Sequence, residues 1–480
     1  MNELYNSQLK GKVYRLIYNM NKNVKIKVKT PVGVTQSEEV GDLVAQGTVE
    51  AGVISGVSID NGVNDAFVDS DGEVEYFGIK LCPTQFMDDI GRMAETVKSA
   101  QDGNNRMEDL LESKCLNFNL SKSNYIIMGK RKQKKKLKEE LNKNPLTLCN
   151  EPMLEVTCLK YLGDFLGSTL EASVHQTVLK RVGIVKKSIQ DIRAIIEDKR
   201  ANSVGGFNVA IQIWESAILP MYLNNAETWF NISKKTVKIL EDTFNTFYRC
   251  MFRIGTGCPK VNFYWQCATM TPMNHILQKK LMFIHHLANL PIDSLARNLF
   301  DLQEANTIGI VAENAEHLNA LNFQINRFQS KAVWRKSVKK YVIARNKAEL
   351  LESMKKYKKL SYNECAQEDF ERKSYFYEMS LEQIRLKFRI SSQMVQSVKS
   401  NFANKYRHRS LKCESCRGTN RQTDSLTPPP EDEPIDSQTH LLTSCPAFDD
   451  LREQHDTQSD LGLVNFFRAV IDRRIEMGEY

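Results

Sequence analysis

From Val178 onward the apolar residues Val182, Val185, Ile189, Ile192 and Ile196 fall alternately three and four positions apart. That spacing keeps them on one face of an α-helix and on no single face of a strand, so the segment is predicted to be a long helix with one buried stripe. Its outer face is expected to carry Lys180, Arg181, Lys186, Lys187, Lys199 and Arg200. Further helical patterning runs from Phe207 to about Leu302, and a helical, basic stretch without sharp motifs follows from about Ala305 to Arg409. His285 and His286 are adjacent rather than four apart, which suits ordinary helix better than a metal pair.

Before about Leu170 the periodicity is mixed. Val13, Leu16, Ile17 and Met20 recur at helical spacing, whereas Val24, Ile26 and Val28 alternate with Lys25, Lys27 and Lys29, as on an edge strand. Ser70-Asp71-Gly72 reads as a hairpin turn between strands near Val68 and Val74. Met93, Val97 and Ala100, then Met107, Leu110 and Leu111, predict one or two amphipathic helices broken at Gly103. An α+β unit followed by helices is the expectation, and 41% hydrophobic residues in 480 are ample for packed cores.

No run approaches the roughly 20 apolar residues of a membrane span, and Met1-Asn-Glu-Leu-Tyr-Asn6 lacks the apolar core of a signal peptide. Of 11 cysteines most are isolated, as expected of free thiols in a reducing compartment. An intracellular location, nucleus or cytoplasm, and no membrane partner are therefore expected.

The net charge of +8 is unevenly placed. Lys130 to Lys138 holds seven bases in nine positions, which suits a phosphate-binding run, a nuclear-import signal or a solvated loop extended by its own repulsion. Trp334, Tyr341 and Tyr357 are set among Lys336, Lys339, Lys340, Lys355 and Lys356. Such interleaving fits RNA, and equally an amphipathic helix with snorkelling lysines.

Cys413-Glu-Ser-Cys416 and His440-Leu-Leu-Thr-Ser-Cys445 pair a Cys-x2-Cys with a His-x4-Cys. Three thiolates and an imidazole would close a tetrahedral structural Zn2+ site, and the alternative is unligated thiols in a frayed C-terminal region. The acidic, proline-rich segment between them has the composition of a flexible loop, whose closure cost grows only slowly with length. Leu463, Phe466, Phe467, Val470 and Ile471 predict a last helix.

Phe86-Met87-Asp88-Asp89 places two adjacent carboxylates after an apolar pair. Nucleotidyl transfer needs two metal ions about 4 Å apart, bracketed by carboxylates, and such a pair supplies part of that cage. Gln46-Gly47 precedes it, and Asn119-Leu-Ser-Lys122 and Tyr161-Leu162-Gly163 follow. In order and spacing these four motifs resemble the later palm motifs of reverse transcriptases of non-LTR (LINE-type) retrotransposons, over about Lys10 to Trp229. Leu219-Pro220-Met221-Tyr222 and Ala226-Glu227-Thr228-Trp229 resemble their helical thumb, and a Cys-Cys-His-Cys motif after the thumb is similar to what several such proteins carry.

The resemblance implies that Asp88 and Asp89 contact Mg2+ and that Gln46 and Gly47 line the template and nucleotide site. Lys122 would stand near the phosphates as a candidate proton donor, and Tyr161-Leu162-Gly163 would support the primer grip. It further implies an α+β fold comprising a partial polymerase right hand, palm with remnant fingers, then an all-helical thumb and a small zinc module. The corresponding domains are 1–170, 171–303, a basic helical region 304–409, the zinc module 410–450 and a C-terminal helix 451–480. RNA template and DNA primer are the implied partners.

The family's earlier motif, an Asp followed by Phe-Asp, has no counterpart here. Residues 1–30 contain no Asp, and Asp42 lies too near Gln46 to serve. The chain is thus expected to begin inside the palm, to lack the endonuclease, and to be inactive alone, with a partner chain supplying the missing parts. A nucleic-acid-binding remnant with a structural zinc site is the alternative expectation.

Overall fold

The computed structural model describes residues 24–27, 29–30, 33–40, 74–81, 83–86, 89–114, 116–197, 206–255, 257–357, 370–392 and 438–477, with isolated residues 11, 12, 15, 19, 63 and 67. The chain is a mostly helical α+β mix with small sheets, and it divides into two compact units, Met1–Gln176 and Thr177–Tyr480.

In the first unit strands occur in pairs. β1 (Val24–Ile26) runs antiparallel to β4 (Glu38–Val40) in a register that sets Lys25 opposite Glu39, and β2 (Lys29–Thr30) pairs with β3 (Gly33–Val34). The remaining antiparallel pairs are β5 (Glu75–Tyr76) with β6 (Ile79–Lys80), β7 (Thr84–Phe86) with β8 (Asp89–Gly91), β10 (Thr147–Leu148) with β11 (Glu151–Pro152), and β13 (Cys158–Tyr161) with β14 (Asp164–Gly167). β9 (Asn124–Tyr125) and β12 (Leu154–Glu155) pair in parallel. The turns Phe77-Gly78 and Leu162-Gly163 hold both central residues at positive φ, the two-residue hairpin geometry that matches strand twist. The turn expected at Ser70–Gly72 lies outside the described residues.

Helix α1 (Val97–Ser113) begins where the Thr96 hydroxyl accepts from the Ser99 amide, and it runs unbroken through Gly103. The expected break does not occur because Gly103 has a packing role. Arg92 lays its guanidinium where a Cβ would stand and donates to the carbonyls of Ser99 and Ala100 at 2.6 and 2.9 Å. Gln101 and Asn104, further along α1, hold the backbone of Thr147. The basic run forms helix α2 (Arg131–Lys143), so the extended-loop reading does not hold. Leu137 and Leu141 anchor it in a cluster with Val97, Ile127 and Leu146.

Helix α3 (Leu170–Glu197) carries the chain across the unit boundary. Val178, Val185, Ile189, Ile192 and Ile196 are buried as expected. Arg181 departs from the expected outer face. It is buried over the Trp229 ring and donates to the carbonyls of Tyr222 and Asn224 at 3.3 and 2.7 Å, ending that tight turn with a charge-assisted bond.

The second unit packs around aromatic side chains. Within α4 (Gly206–Ile213), Phe207 stacks on Phe376 at 4.9 Å, while Phe252 of α5 (Lys234–Phe252) stacks on Phe388 at 3.7 Å. A π-helical segment, Trp214–Ile218, precedes Pro220, whose missing N–H and ring displace the regular bond to the turn before it, and Pro220 itself sits in the first turn of a short α-helix, Leu219–Tyr222. α6 (Pro272–Leu287) packs on α7 (Lys331–Met354), which buries Trp334, Val338, Val342, Leu350 and Met354. Of the region 304–409, the described helices at 331–354 and 381–391 therefore share cores with the helices before them. α8 (Leu381–Ser391) and α9 (Asp460–Glu476) complete the unit, and α9 buries Val464, Phe466, Phe467 and Val470.

Candidate functional site

Asp89 begins the second strand of the hairpin formed by β7 and β8. Phe86 pairs with Asp89, Gln85 with Ile90 and Thr84 with Gly91. Asp89 is exposed at the start of β8, whereas Ile90 beside it turns inward. Ile90 packs with Val63, Phe67 and Met107 of α1, and Phe118 of the Asn-x-x-Lys loop packs against the same cluster.

That loop is built by its own asparagine. The Asn119 carbonyl accepts from the amides of Lys122 and Ser123 at 3.0 and 3.1 Å, and the Asn119 side chain accepts from the Ser121 hydroxyl at 2.7 Å. Lys122 is exposed on the resulting turn, and Asn124 returns a bond to the Lys122 carbonyl. β9 then leads to the buried Ile127.

The Tyr-Leu-Gly hairpin meets the Asp hairpin directly. Tyr161 bonds its hydroxyl to that of Thr84 at 3.1 Å, and its ring lies 3.2 Å from where a Gly91 Cβ would stand. A side chain at Gly91 would push the two hairpins apart. Gly167, at the far end of β14, seats its amide on the Ser173 hydroxyl at 2.8 Å, which ties this hairpin to the first turn of α3.

Three of the four palm-like motifs are thus joined through Ile90, Phe118 and Tyr161. Gln46, Gly47 and Asp88 lie outside the described residues. What the described part offers chemically is one exposed carboxylate, Asp89, on a braced two-strand support, and one exposed lysine, Lys122, on a loop braced by the same cluster. Such a support suits an outer-sphere or direct oxygen ligand for a hard cation such as Mg2+.

In the same unit α2 presents Arg131, Lys132, Lys135, Lys136 and Lys138 to solvent. Lys138 meets Glu155 at 2.7 Å, next to Tyr125. Burial and the Glu155 carboxylate push the Tyr125 phenol up, against the pull of Lys138.

In the second unit the aromatic-basic stretch divides by face. Trp334 is fully buried, donates its indole N–H to the Leu281 carbonyl at 3.0 Å and stacks on His285 at 5.3 Å, so it is core and not a base-stacking platform. Tyr341 bonds His317 at 2.9 Å, while Lys336, Lys339 and Lys340 face solvent. His285 serves the same core, bonding the Gln329 carbonyl at 3.1 Å.

Of the C-terminal cluster, His440 and Cys445 are described and both are buried. His440 lies within a short helix, Gln438–Thr443, its carbonyl accepts from the Cys445 amide at 2.9 Å, and its Nδ1 lies 3.0 Å from the Ser444 hydroxyl. Arg452 fixes this turn by donating to the carbonyls of Leu441 and Cys445. Cys413 and Cys416 lie outside the described residues. Among the described residues no three His, Cys, Asp or Glu side chains gather as a metal would require, and no disulfide joins the cysteines.

Sequence reasoning missed the arginine groups of the second unit. Glu197, at the end of α3, receives Arg193, Arg253 and Arg385 on one oxygen at 3.0 to 3.2 Å. Burial raises this carboxyl, but the bonds and charges of Arg253 and Arg193 outweigh it and hold Glu197 below its ordinary value. A carboxylate at a helix C-terminus opposes the macrodipole, and the three guanidinium groups offset that cost.

No protein-family model and no curated protein matches this chain. Among the described residues no helix is long and apolar enough to cross a membrane.

Proposed function

We propose that the chain is a reverse-transcriptase domain of the non-LTR retrotransposon type, an RNA-directed DNA polymerase by descent, which holds primer and template without extending them by itself. The observation that carries this reading is the shared packing of the Asp hairpin, the Asn-x-x-Lys loop and the Tyr-Leu-Gly hairpin through Ile90, Phe118 and Tyr161. Motifs that recur in order along a sequence need not meet in space, and their meeting is what a palm requires.

In this reading Asp88 and Asp89 would hold Mg2+, which would lower the barrier by polarising the attacking and leaving oxygens. Gln46 and Gly47 would line the nucleotide site, and Lys122 would steady the triphosphate. Without a carboxylate from an earlier motif the cage would be incomplete, and loss of electrostatic stabilisation would remove the largest share of rate. Cys413, Cys416, His440 and Cys445 would hold one structural Zn2+, for which the buried Cys445 and His440 provide a suitably dry pair. A runner-up reading, a nucleic-acid-binding remnant, is favoured by the exposed bases of α2 and α7.

Primer extension on an RNA template with Mg2+ and deoxynucleotides tests the proposal. The expected result is no extension, alongside primer–template binding that weakens with salt by a log–log slope of roughly −0.9 per neutralised phosphate on a duplex. Extension abolished by Asp89→Asn would refute the inactivity. Absence of binding at low salt would sink both readings.

A further inference from the structure

α8 sets Arg385 and Arg389 four residues apart, hence on one face, and that face meets α9 at Arg468 and Ile471. Between the helices is a cleft of about 190 Å³ lined by Glu382, Arg385, Leu386, Arg389, Arg468 and Ile471. It is smaller than the roughly 300 Å³ at which pockets for whole small molecules begin, so it admits a group rather than a ligand of nucleotide size.

Its charge is unbalanced. Three guanidinium groups face one carboxylate, and Arg385 is already committed, donating to Met251, Glu382 and Glu197. Arg389 makes one bond, to the Arg253 carbonyl at 3.2 Å, and no ion pair among the described residues. Arg468 makes neither a hydrogen bond nor an ion pair among the described residues. Burial pulls the Arg389 guanidinium below its ordinary value; Glu382 opposes this, and the charges of Arg385 and Arg253 reinforce it. Holding the half-buried Arg389 beside Arg385 and Arg468 is unfavourable unless an anion completes the group.

We infer that the Arg389–Arg468 cleft is a phosphate-binding site, filled by a phosphate group of a nucleic-acid backbone or by free phosphate. Two forked, planar donors on facing helices match the tetrahedral oxygens of a phosphate, and Ile471 and Leu386 exclude water from one side. The backbone source rests on the function proposed above; the phosphate site itself does not.

The test uses the full chain with Arg468→Gln, Arg389→Gln and, as a charge-matched control elsewhere in the unit, Lys235→Gln. Arg468 is exposed and bonded to nothing described, so its replacement leaves folding intact. Thermal unfolding is followed by tryptophan fluorescence in inorganic phosphate and in chloride of equal ionic strength, since ligand bound only to the folded state raises the midpoint. Binding of a labelled single-stranded RNA is measured by anisotropy over a salt series.

Phosphate should raise the midpoint of the wild type and of Lys235→Gln, and should do so less for either arginine variant. If the backbone is the source, Arg468→Gln also weakens RNA binding about 10-fold and flattens the salt slope by roughly 0.7, one phosphate contact on a single strand. A phosphate effect with unchanged RNA binding assigns the site to free phosphate. If the wild type binds no RNA, the proposed function fails and the thermal arm alone decides the cleft. Equal phosphate response in all four proteins, with equal RNA slopes, overturns the inference.

Discussion

Gly103→Ala is expected to loosen the support of the Asp hairpin, although alanine favours helix more than glycine does. A Cβ at position 103 would stand inside the Arg92 guanidinium and expel it. Arg92 follows directly on β8, and its bonds to Ser99 and Ala100 tie that strand to α1. Each hydrogen bond from a charged donor contributes about 1.5–3 kcal/mol, and the helix gains back about 1 kcal/mol from alanine. With both bonds lost, the net loss is about 2–5 kcal/mol, confined to the first unit.

All four tryptophans, Trp214, Trp229, Trp265 and Trp334, lie in the second unit. Tryptophan fluorescence should therefore be blind to the change, and amide exchange read by mass spectrometry over Val97–Ser113 should reveal it. Exchange there should quicken by a factor of roughly 30 to 4,000, at about 1.4 kcal/mol per decade. In an Arg92→Ala background the sign should reverse, because only the helix-propensity gain remains. Slower exchange in Gly103→Ala with Arg92 present would refute the reasoning, since it would mean that the guanidinium moves aside at no cost.

Asn346→Ala should destabilise the second unit by about 2–6 kcal/mol in urea unfolding followed by tryptophan fluorescence, because the fully buried Asn346 serves the Thr271 amide and the Thr269 carbonyl, each costing about 1–3 kcal/mol when orphaned, while the Asn274 amide keeps Glu349. An unchanged midpoint would show that water replaces it. Burial and Lys279 depress His275 to about 4, and its Nε2 has no partner, so the folded state keeps it neutral. Its contribution is intact above the unfolded value of about 6.5 and falls as pH drops from there to about 4, by at most roughly 3 kcal/mol and less where water reaches the ring. Glu197, also depressed, loses its contribution at lower pH, below about 4.5. Stability of His275→Gln should be flatter between pH 6.5 and 4.5, and an identical profile would exclude the histidine as the cause. For zinc, elemental analysis after gel filtration should find about one ion per chain in the wild type and little in Cys416→Ser, with Cys365→Ser unchanged; equal content in wild type and Cys416→Ser would remove the cluster as a metal site.

Periodicity made the long helix legible because a buried stripe leaves a repeating trace. It failed where a single residue is set by a distant partner. Gly103 reads as a break until Arg92 is seen to fill the space of its missing side chain. Arg181 reads as solvent-facing because charge is usually outside, yet the carbonyls of Tyr222 and Asn224, some forty residues on, need a donor. Trp334 amid lysines left RNA contact and an amphipathic helix both open, and its partners Leu281 and His285 on another helix decide for the buried face.

The candidate site divides in the same way. Motif order pointed to the Asp hairpin, the Asn-x-x-Lys loop and the Tyr-Leu-Gly hairpin, while the contacts that join them come from residues the motifs do not name: Ile90, Phe118 and Thr84. The arginine cleft left half a trace, since Arg385 and Arg389 share a helical face by spacing, but nothing local pairs them with Arg468. The basic run shows why composition could not choose between loop and helix. Arg131 and Lys135, Lys132 and Lys136, and Lys134 and Lys138 are like charges four apart, each unfavourable by about 0.2–0.5 kcal/mol, and they crowd the positive end of the helix dipole. Against that stand the Glu155 partner of Lys138 and the seating of Leu137 and Leu141 beside Ile127 and Leu146. Burial of Leu141, about 1.5–3 kcal/mol, together with the partly buried Leu137 exceeds the repulsion. The helix therefore exists because of its apolar face, and its crowded charges remain on the outside, where a polyanion would relieve them.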